Sequence, residues 1–128
     1  INGDGETSRD FCYIENAVQA NILAATNEGQ GANQVYNVAV GDQTTLNQLF
    51  ELLREGLIEE YPQLEQANPR YRDFRPGDVR HSRADITRAK TTLGYHPTHN
   101  INKGLQESLP WYKESFVGAA SAAKRKNE

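Results

Sequence analysis

At 128 residues the chain can form one small domain or one piece of a larger one. Its 37% hydrophobic and 24% charged residues exclude collagen, coiled coil and global disorder, and its net charge of −3 gives no strong field for nucleic acid or anionic lipid. No apolar run approaches the roughly 20 residues that cross a bilayer, and the opening INGDGETSRD is not a secretory signal.

Residues 1–10 are rich in Gly, Asp, Ser and Thr and read as a loop. The single cysteine, Cys12, allows no internal disulfide, so a reducing, cytoplasmic setting is expected. Cys12 itself is expected to be a small buried apolar residue. From Tyr13 to about Thr26, Ile14, Ala17, Val18, Ala20 and Leu23 recur at helical spacing, and Asn27, Gly29 and Gly31 end that helix. Gln34 to Val40 is rich in β-branched and aromatic residues and is expected as a buried strand. Gly41 and Asp42 turn the chain. Thr44 or Thr45 is placed to cap a helix whose Leu46, Leu49, Phe50, Leu53 and Leu57 form one apolar stripe for the core.

Residues 61–70, with Pro62 and Pro69, read as a loop, and Tyr71–Phe74 as a short strand. Arg75-Pro76-Gly77-Asp78 reads as a turn. Asp85 is placed to cap a helix that runs to about Leu93 and ends at Gly94. Asn100 or Asn102 starts the last helix, which Pro110 is expected to kink or divide. An ordered lobe is expected over 1–117 and a disordered tail over 118–128. The few short strands cannot build a sheet by themselves. With no methionine in the chain, this leads to the expectation of a piece of a larger protein that leaves an apolar face exposed.

Two segments carry chemistry. Ser8-Arg9-Asp10-Phe11 and Phe74-Arg75-Pro76-Gly77-Asp78 each set an arginine near a carboxylate at an element boundary. Guanidinium groups bind phosphate through paired donors and stay charged, so two of them from distant segments can clamp a diphosphate. A nearby aspartate can accept from ribose hydroxyls, and Phe11 can border a base or sugar. The bland alternative for each pair is a surface ion pair. There is no G-x-G-x-x-G turn, no tyrosine followed four residues later by lysine, and no metal-spaced Cys/His cluster. His81, His96 and His99 are expected at the surface.

The stretches GDGETSRDFCYIENAVQANILA, VYNVAVGDQTTLNQL, FRPGDVRHSRADITRAKTTLGY and GLQESLPWY together resemble the C-terminal region of extended short-chain dehydrogenase/reductases acting on nucleotide sugars. Bacterial UDP-N-acetylglucosamine 4-epimerases of O-antigen and capsule synthesis are the nearest likeness. The resemblance implies an α/β fold, a Rossmann-type enzyme of which this chain is the substrate-binding lobe. It implies NAD and the catalytic tyrosine and lysine in a preceding N-terminal domain, a UDP-sugar as ligand, and a homodimer. No nucleic-acid or membrane partner is implied. Arg9 and Arg75 then contact the diphosphate, Asp78 the ribose, and Phe11 lies near the nucleotide. Ser82 borders the hexose, where a small residue admits an N-acetyl group and a tyrosine excludes it. Glu15 stands where the family usually has aspartate. A lobe of a UDP-sugar decarboxylase, dehydratase or reductase, or a non-enzymatic binding module, remains the alternative.

Overall fold

The computed structural model describes residues 1–124, with side chains to Ser115. It is helix-rich α/β. In chain order come β1 (Ser8–Arg9), α1 (Ile14–Ala25), β2 (Thr44–Thr45), α2 (Leu46–Leu57), a 3-10 turn (Pro62–Gln66), a π-helical turn (Ala89–Leu93) and α3 (Ile101–Lys124).

The helices start and stop where local chemistry says they should. Thr45 Oγ1 accepts from the Gln48 N–H at 3.1 Å while the Gln48 side chain accepts from the Thr45 N–H at 2.9 Å. This reciprocal box satisfies donors that the first turn of α2 would otherwise leave free. Asn100 Oδ1 accepts from the Lys103 N–H and plays the same part for α3. Asp85 Oδ1 accepts from the Thr87 N–H, and the turn it starts closes at Gly94, whose φ of 71° is left-handed. Pro110 lies inside α3 without dividing it. The helix runs on through Lys124, past Gly118 where the disordered tail was expected to begin; residues 125–128 lie outside the described residues.

Some expectations are corrected. Residues 34–40 form no strand: Val35 is 83% exposed, and no ladder partner lies beside the segment among the described residues. Side-chain pattern alone does not make a strand when the backbone has no neighbour to pair with. Tyr71–Phe74 reduces to a single parallel bridge between Asn2 and Arg72. The supposed loop 1–10 instead contains β1, the middle strand of a small assembly. Its antiparallel neighbour is β2, with Ser8 opposite Thr45 and Arg9 opposite Thr44. On the other side, Ser8 accepts from the Ser82 N–H and donates to the Arg80 carbonyl, a parallel bridge to His81.

The core is small and centred on Ala20, Ala39, Ile86, Ala89 and Tyr95, with Leu23, Tyr36 and Ala84 packed against it. It joins α1 to the π-turn. The apolar stripe of α2 faces α3, yet none of its residues is fully buried. Helix α1 is apolar on two sides. Ala20 enters the core, whereas Ile14, Val18 and Ile22, each one turn apart, stay 47–63% exposed.

Polar side chains do much of the joining. Asn16 has no exposed surface; it donates to the His99 carbonyl and accepts from the N–H groups of Thr98 and His99. His99 is buried, not superficial as expected. Its ring lies 4.8 Å from that of Tyr13, and its Nε2 is 3.3 Å from Glu107 and 3.7 Å from Glu15. Cys12, by contrast, is exposed rather than buried.

Tyr95 has no exposed surface, and its hydroxyl donates to the Ala39 carbonyl at 2.8 Å. Burial, foremost, raises its pKa above the ordinary 10.0. The folded chain therefore holds this proton more tightly than the unfolded chain does. The resulting stability is fully present below pH 10 and is lost as pH rises through the folded value. Urea midpoints measured from pH 8 to 11 should fall on the alkaline side, and Tyr95→Phe should flatten that fall. The variant should also lose about 1 kcal/mol at neutral pH from the unpaired Ala39 carbonyl. An alkaline limb unchanged by the substitution would rule this assignment out.

Candidate functional site

The site residues meet because β1 is paired on both edges. The Ser8–His81 bridge sets residues 8–9 against 80–82. Successive side chains of paired segments alternate faces. Ser8 and His81 share one face, where Ser8 Oγ lies 2.9 Å from His81 Nδ1. The next positions, Arg9 and Ser82, are turned to the other. The Arg75–Asp78 turn immediately precedes this segment. The Asp78 N–H donates to the Arg75 carbonyl at 3.1 Å, and Gly77 takes the positive φ of 78° the turn needs.

Arg9 and Asp78, 69 residues apart in sequence, form an ion pair: Arg9 Nη2 donates to Asp78 Oδ1 at 2.6 Å. Arg9 Nη1 donates to its neighbour's carbonyl, that of Ser8, at 2.8 Å. Arg75 is exposed at the head of the same turn and has no ion pair among the described residues. Ser82 is exposed beside them, fixed through its backbone N–H. Four of the five expected residues are thus gathered by one turn and one strand pairing. A second pair flanks them. Arg80 Nη2 donates to Asp4 Oδ2 at 2.6 Å while its guanidinium lies 5.4 Å from the Phe74 ring centre. That hydrogen bond lowers the Asp4 carboxyl and raises the Arg80 guanidinium from their ordinary values.

Phe11 is placed elsewhere. It lines an apolar cleft of about 460 Å³ with Leu49, Leu53, Ile101, Leu105 and Tyr112, between α2 and α3. None of the other four expected residues lines that cleft. The Arg9 cluster is instead an open polar surface, suited to bind an anion by charge and paired donors. Among the described residues no group of three His, Cys, Asp or Glu is placed to hold a metal ion, and no helix is long and apolar enough to cross a membrane.

Residues 1–108 match the family model described as GDP-mannose 4,6 dehydratase. A UDP-glucuronate 4-epimerase of Thermodesulfobacterium geofontis is 33% identical over 91% of this chain and 33% of its own length. The crystal structure of a UDP-glucose 4-epimerase from Thermotoga maritima, with UDP-glucose, superposes with a TM-score of 0.77 at 40% identity. It matches 91% of this chain and 35% of the epimerase. A UDP-N-acetylglucosamine 4-epimerase from Methanobrevibacter ruminantium, in complex with UDP-N-acetylmuramic acid, gives 0.76 at 37% identity over 90% of this chain and 34% of its own. Matched structures at 25% and 28% identity hold NAD beside UDP-glucuronic acid or its 4-deoxy-4-fluoro analogue. A dTDP-glucose 4,6-dehydratase and a UDP-N-acetyl-α-D-glucosaminuronate decarboxylase match as well. The chain spans about a third of the length of the curated relatives it matches.

Sequence reasoning gave Asp10 no part of its own beyond its place beside Arg9. Its carboxylate accepts from three backbone N–H groups, Val40 and Gly41 at 3.0 Å and Ala84 at 3.2 Å. A carboxylate directly after an arginine reads as its ion-pair partner; only the fold shows that Arg9 turns to Asp78 and Asp10 to the backbone. Asp10→Ala leaves three N–H groups without their acceptor. It should destabilise the chain by about 2–4 kcal/mol in urea unfolding, while the exposed Asp73→Ala changes stability by about 0.5 kcal/mol or less. Equal effects of the two substitutions would remove Asp10 from this role.

Proposed function

Because the chain belongs to the extended short-chain dehydrogenase/reductase family that the GDP-mannose 4,6-dehydratase model describes, we propose that it is the nucleotide-sugar-binding lobe of an NAD-dependent UDP-sugar 4-epimerase. One observation carries this reading: Arg9, Arg75 and Asp78, from segments far apart in sequence, are brought to one open surface by the β1 pairing and one turn. Arg9 and Arg75 hold the diphosphate, and Asp78 accepts from the ribose hydroxyls. Ser82 leaves room at the hexose for an acetamido group, which favours UDP-GlcNAc and UDP-GalNAc as the substrate pair. The matched N-acetylglucosamine epimerase supports that choice, and the UDP-glucose and UDP-glucuronate relatives define its competitors. Phe11, which lines the α2–α3 cleft, is given no direct contact in this reading.

The residues of this chain do not fit NAD. No glycine-rich turn follows a strand, and the only ladder among the described residues joins two antiparallel strands of two residues each. No redox step is therefore assigned to them. In this reading the cofactor seen in the matched structures is held by other parts of the whole protein, a cytoplasmic homodimer. The exposed Ile14–Val18–Ile22 stripe supports a lobe that packs against such a part. A dehydratase or decarboxylase is the second reading, favoured by the family model and by relatives of both kinds. Product analysis of the whole protein with UDP-GlcNAc separates them, since only an epimerase returns an isomer of the same mass.

Isothermal titration of this chain with UDP should show binding that Arg9→Ala and Arg75→Ala each weaken about tenfold or more, the loss of one charge-assisted contact. Wild-type affinity retained in both variants would sink the clamp. Ser82→Tyr should weaken UDP-GlcNAc on the order of tenfold more than UDP-glucose. Equal losses for the two sugars would show that Ser82 does not face the acetamido group.

A further inference from the structure

The Arg9–Asp78 ion pair joins the two groups assigned to adjoining parts of the ligand, the diphosphate and the ribose. Asp78 and a phosphate carry charge of the same sign and compete for the same donor, Arg9 Nη2. Arg9 is further fastened through Nη1 to the Ser8 carbonyl. Both paired side chains are about a third exposed, at 31% and 35%, so solvent and ligands reach them.

We propose that Asp78 is a selectivity latch on Arg9, which favours nucleoside diphosphates over simple anions. The proposal rests on the reading of Arg9 as a diphosphate contact. An anion that offers only phosphate oxygens must take Nη2 from Asp78 and leave that carboxylate beside it, charged and without its partner. A nucleoside diphosphate takes the same donor but brings vicinal ribose hydroxyls, which donate to the freed carboxylate. The nucleotide thus exchanges one set of hydrogen bonds for another, whereas inorganic pyrophosphate gives one up. Arg75, in the same turn but with no ion pair among the described residues, supplies attraction that the latch does not hold. Asp78 in this way acts on phosphate binding through Arg9, as a positioning residue in addition to its ribose contact.

The test uses two probes, inorganic pyrophosphate and UDP, titrated into the wild-type chain, Asp78→Asn and Asp73→Asn. Asp73 is exposed, close by in sequence and has no ion pair among the described residues, so its variant reports the bare effect of removing one negative charge. Asp78→Asn should bind pyrophosphate about three- to fivefold more tightly than wild type, the scale of one exposed ion pair, and bind UDP more weakly. Asp73→Asn should move both by less than about twofold. Opposite changes for the two probes are the signature, because a purely structural loss weakens both. If wild type binds UDP but the two variants bind pyrophosphate alike, the latch is wrong and the clamp stands. If wild type binds neither probe, clamp and latch fall together. Asp78→Ser, checked by thermal melt, gives the same comparison should the amide variant fold poorly.

Discussion

The carboxylate of Asp10 is the constraint from which the site's geometry follows. It holds the backbone at Val40 and Gly41 on one side and at Ala84 on the other, and so ties two segments to the end of β1. Those contacts fix where the 80–85 segment runs, and through the Ser8–His81 bridge they fix the register of Arg9 against the turn that carries Asp78. A neutral side chain at position 10 would leave three backbone donors to find water. Asp10 can sit directly after Arg9 because one residue of rise in a strand points its side chain the other way: Arg9 reaches out to Asp78, and Asp10 reaches back into the scaffold.

Polar pins of this kind matter here because the apolar core is thin. Among the described residues seven hydrophobic side chains are buried, three of them alanines. Burial of so little side chain contributes modestly at about 25 cal/mol per Å². Asn16 and Asp10 each gather three hydrogen bonds across distant segments and replace packing with direction. Every buried side-chain polar atom among the described residues has a partner, as such a network requires. The same arrangement leaves much apolar surface uncovered, on α1 and at Val35, Val79 and Trp111.

The helices were legible in the sequence because their signals are local. Helix α1 was expected from Tyr13 to Thr26 and spans Ile14–Ala25; the cap at Thr45 and the stop at Gly94 lie where a box residue and a glycine announce them. The strands were not, because pairing is decided by residues far away. QVYNVAV has the composition of a strand, yet no neighbour is there to pair with it among the described residues. SR has no strand composition, yet is paired on both edges. Burial failed for the same reason. His99 looks like a surface residue in a polar stretch, and only Asn16, 83 residues earlier, draws it inside. Of the candidate site, Arg9, Arg75, Asp78 and Ser82 were expected from the family's pattern of residues, and the pairing of Arg9 with Asp78 across 69 residues is a contact no single segment displays. Phe11, expected near the nucleotide from the same pattern, lines the cleft between α2 and α3, which none of the other four lines.

The sequence distance between Arg9 and Asp78 has a consequence for the energetics of the whole chain. No stretch short enough to order locally contains both, so the loop between them must close before the clamp exists. An anion that recognises the clamp therefore recognises the folded chain and has little hold on the unfolded ensemble. By mass action such a ligand becomes part of the fold's own stability, about 2.7 kcal/mol when present at a hundred times its dissociation constant. For a chain with so thin a core, occupancy of the proposed clamp would rank beside Asp10 and Asn16 among the things that keep it folded.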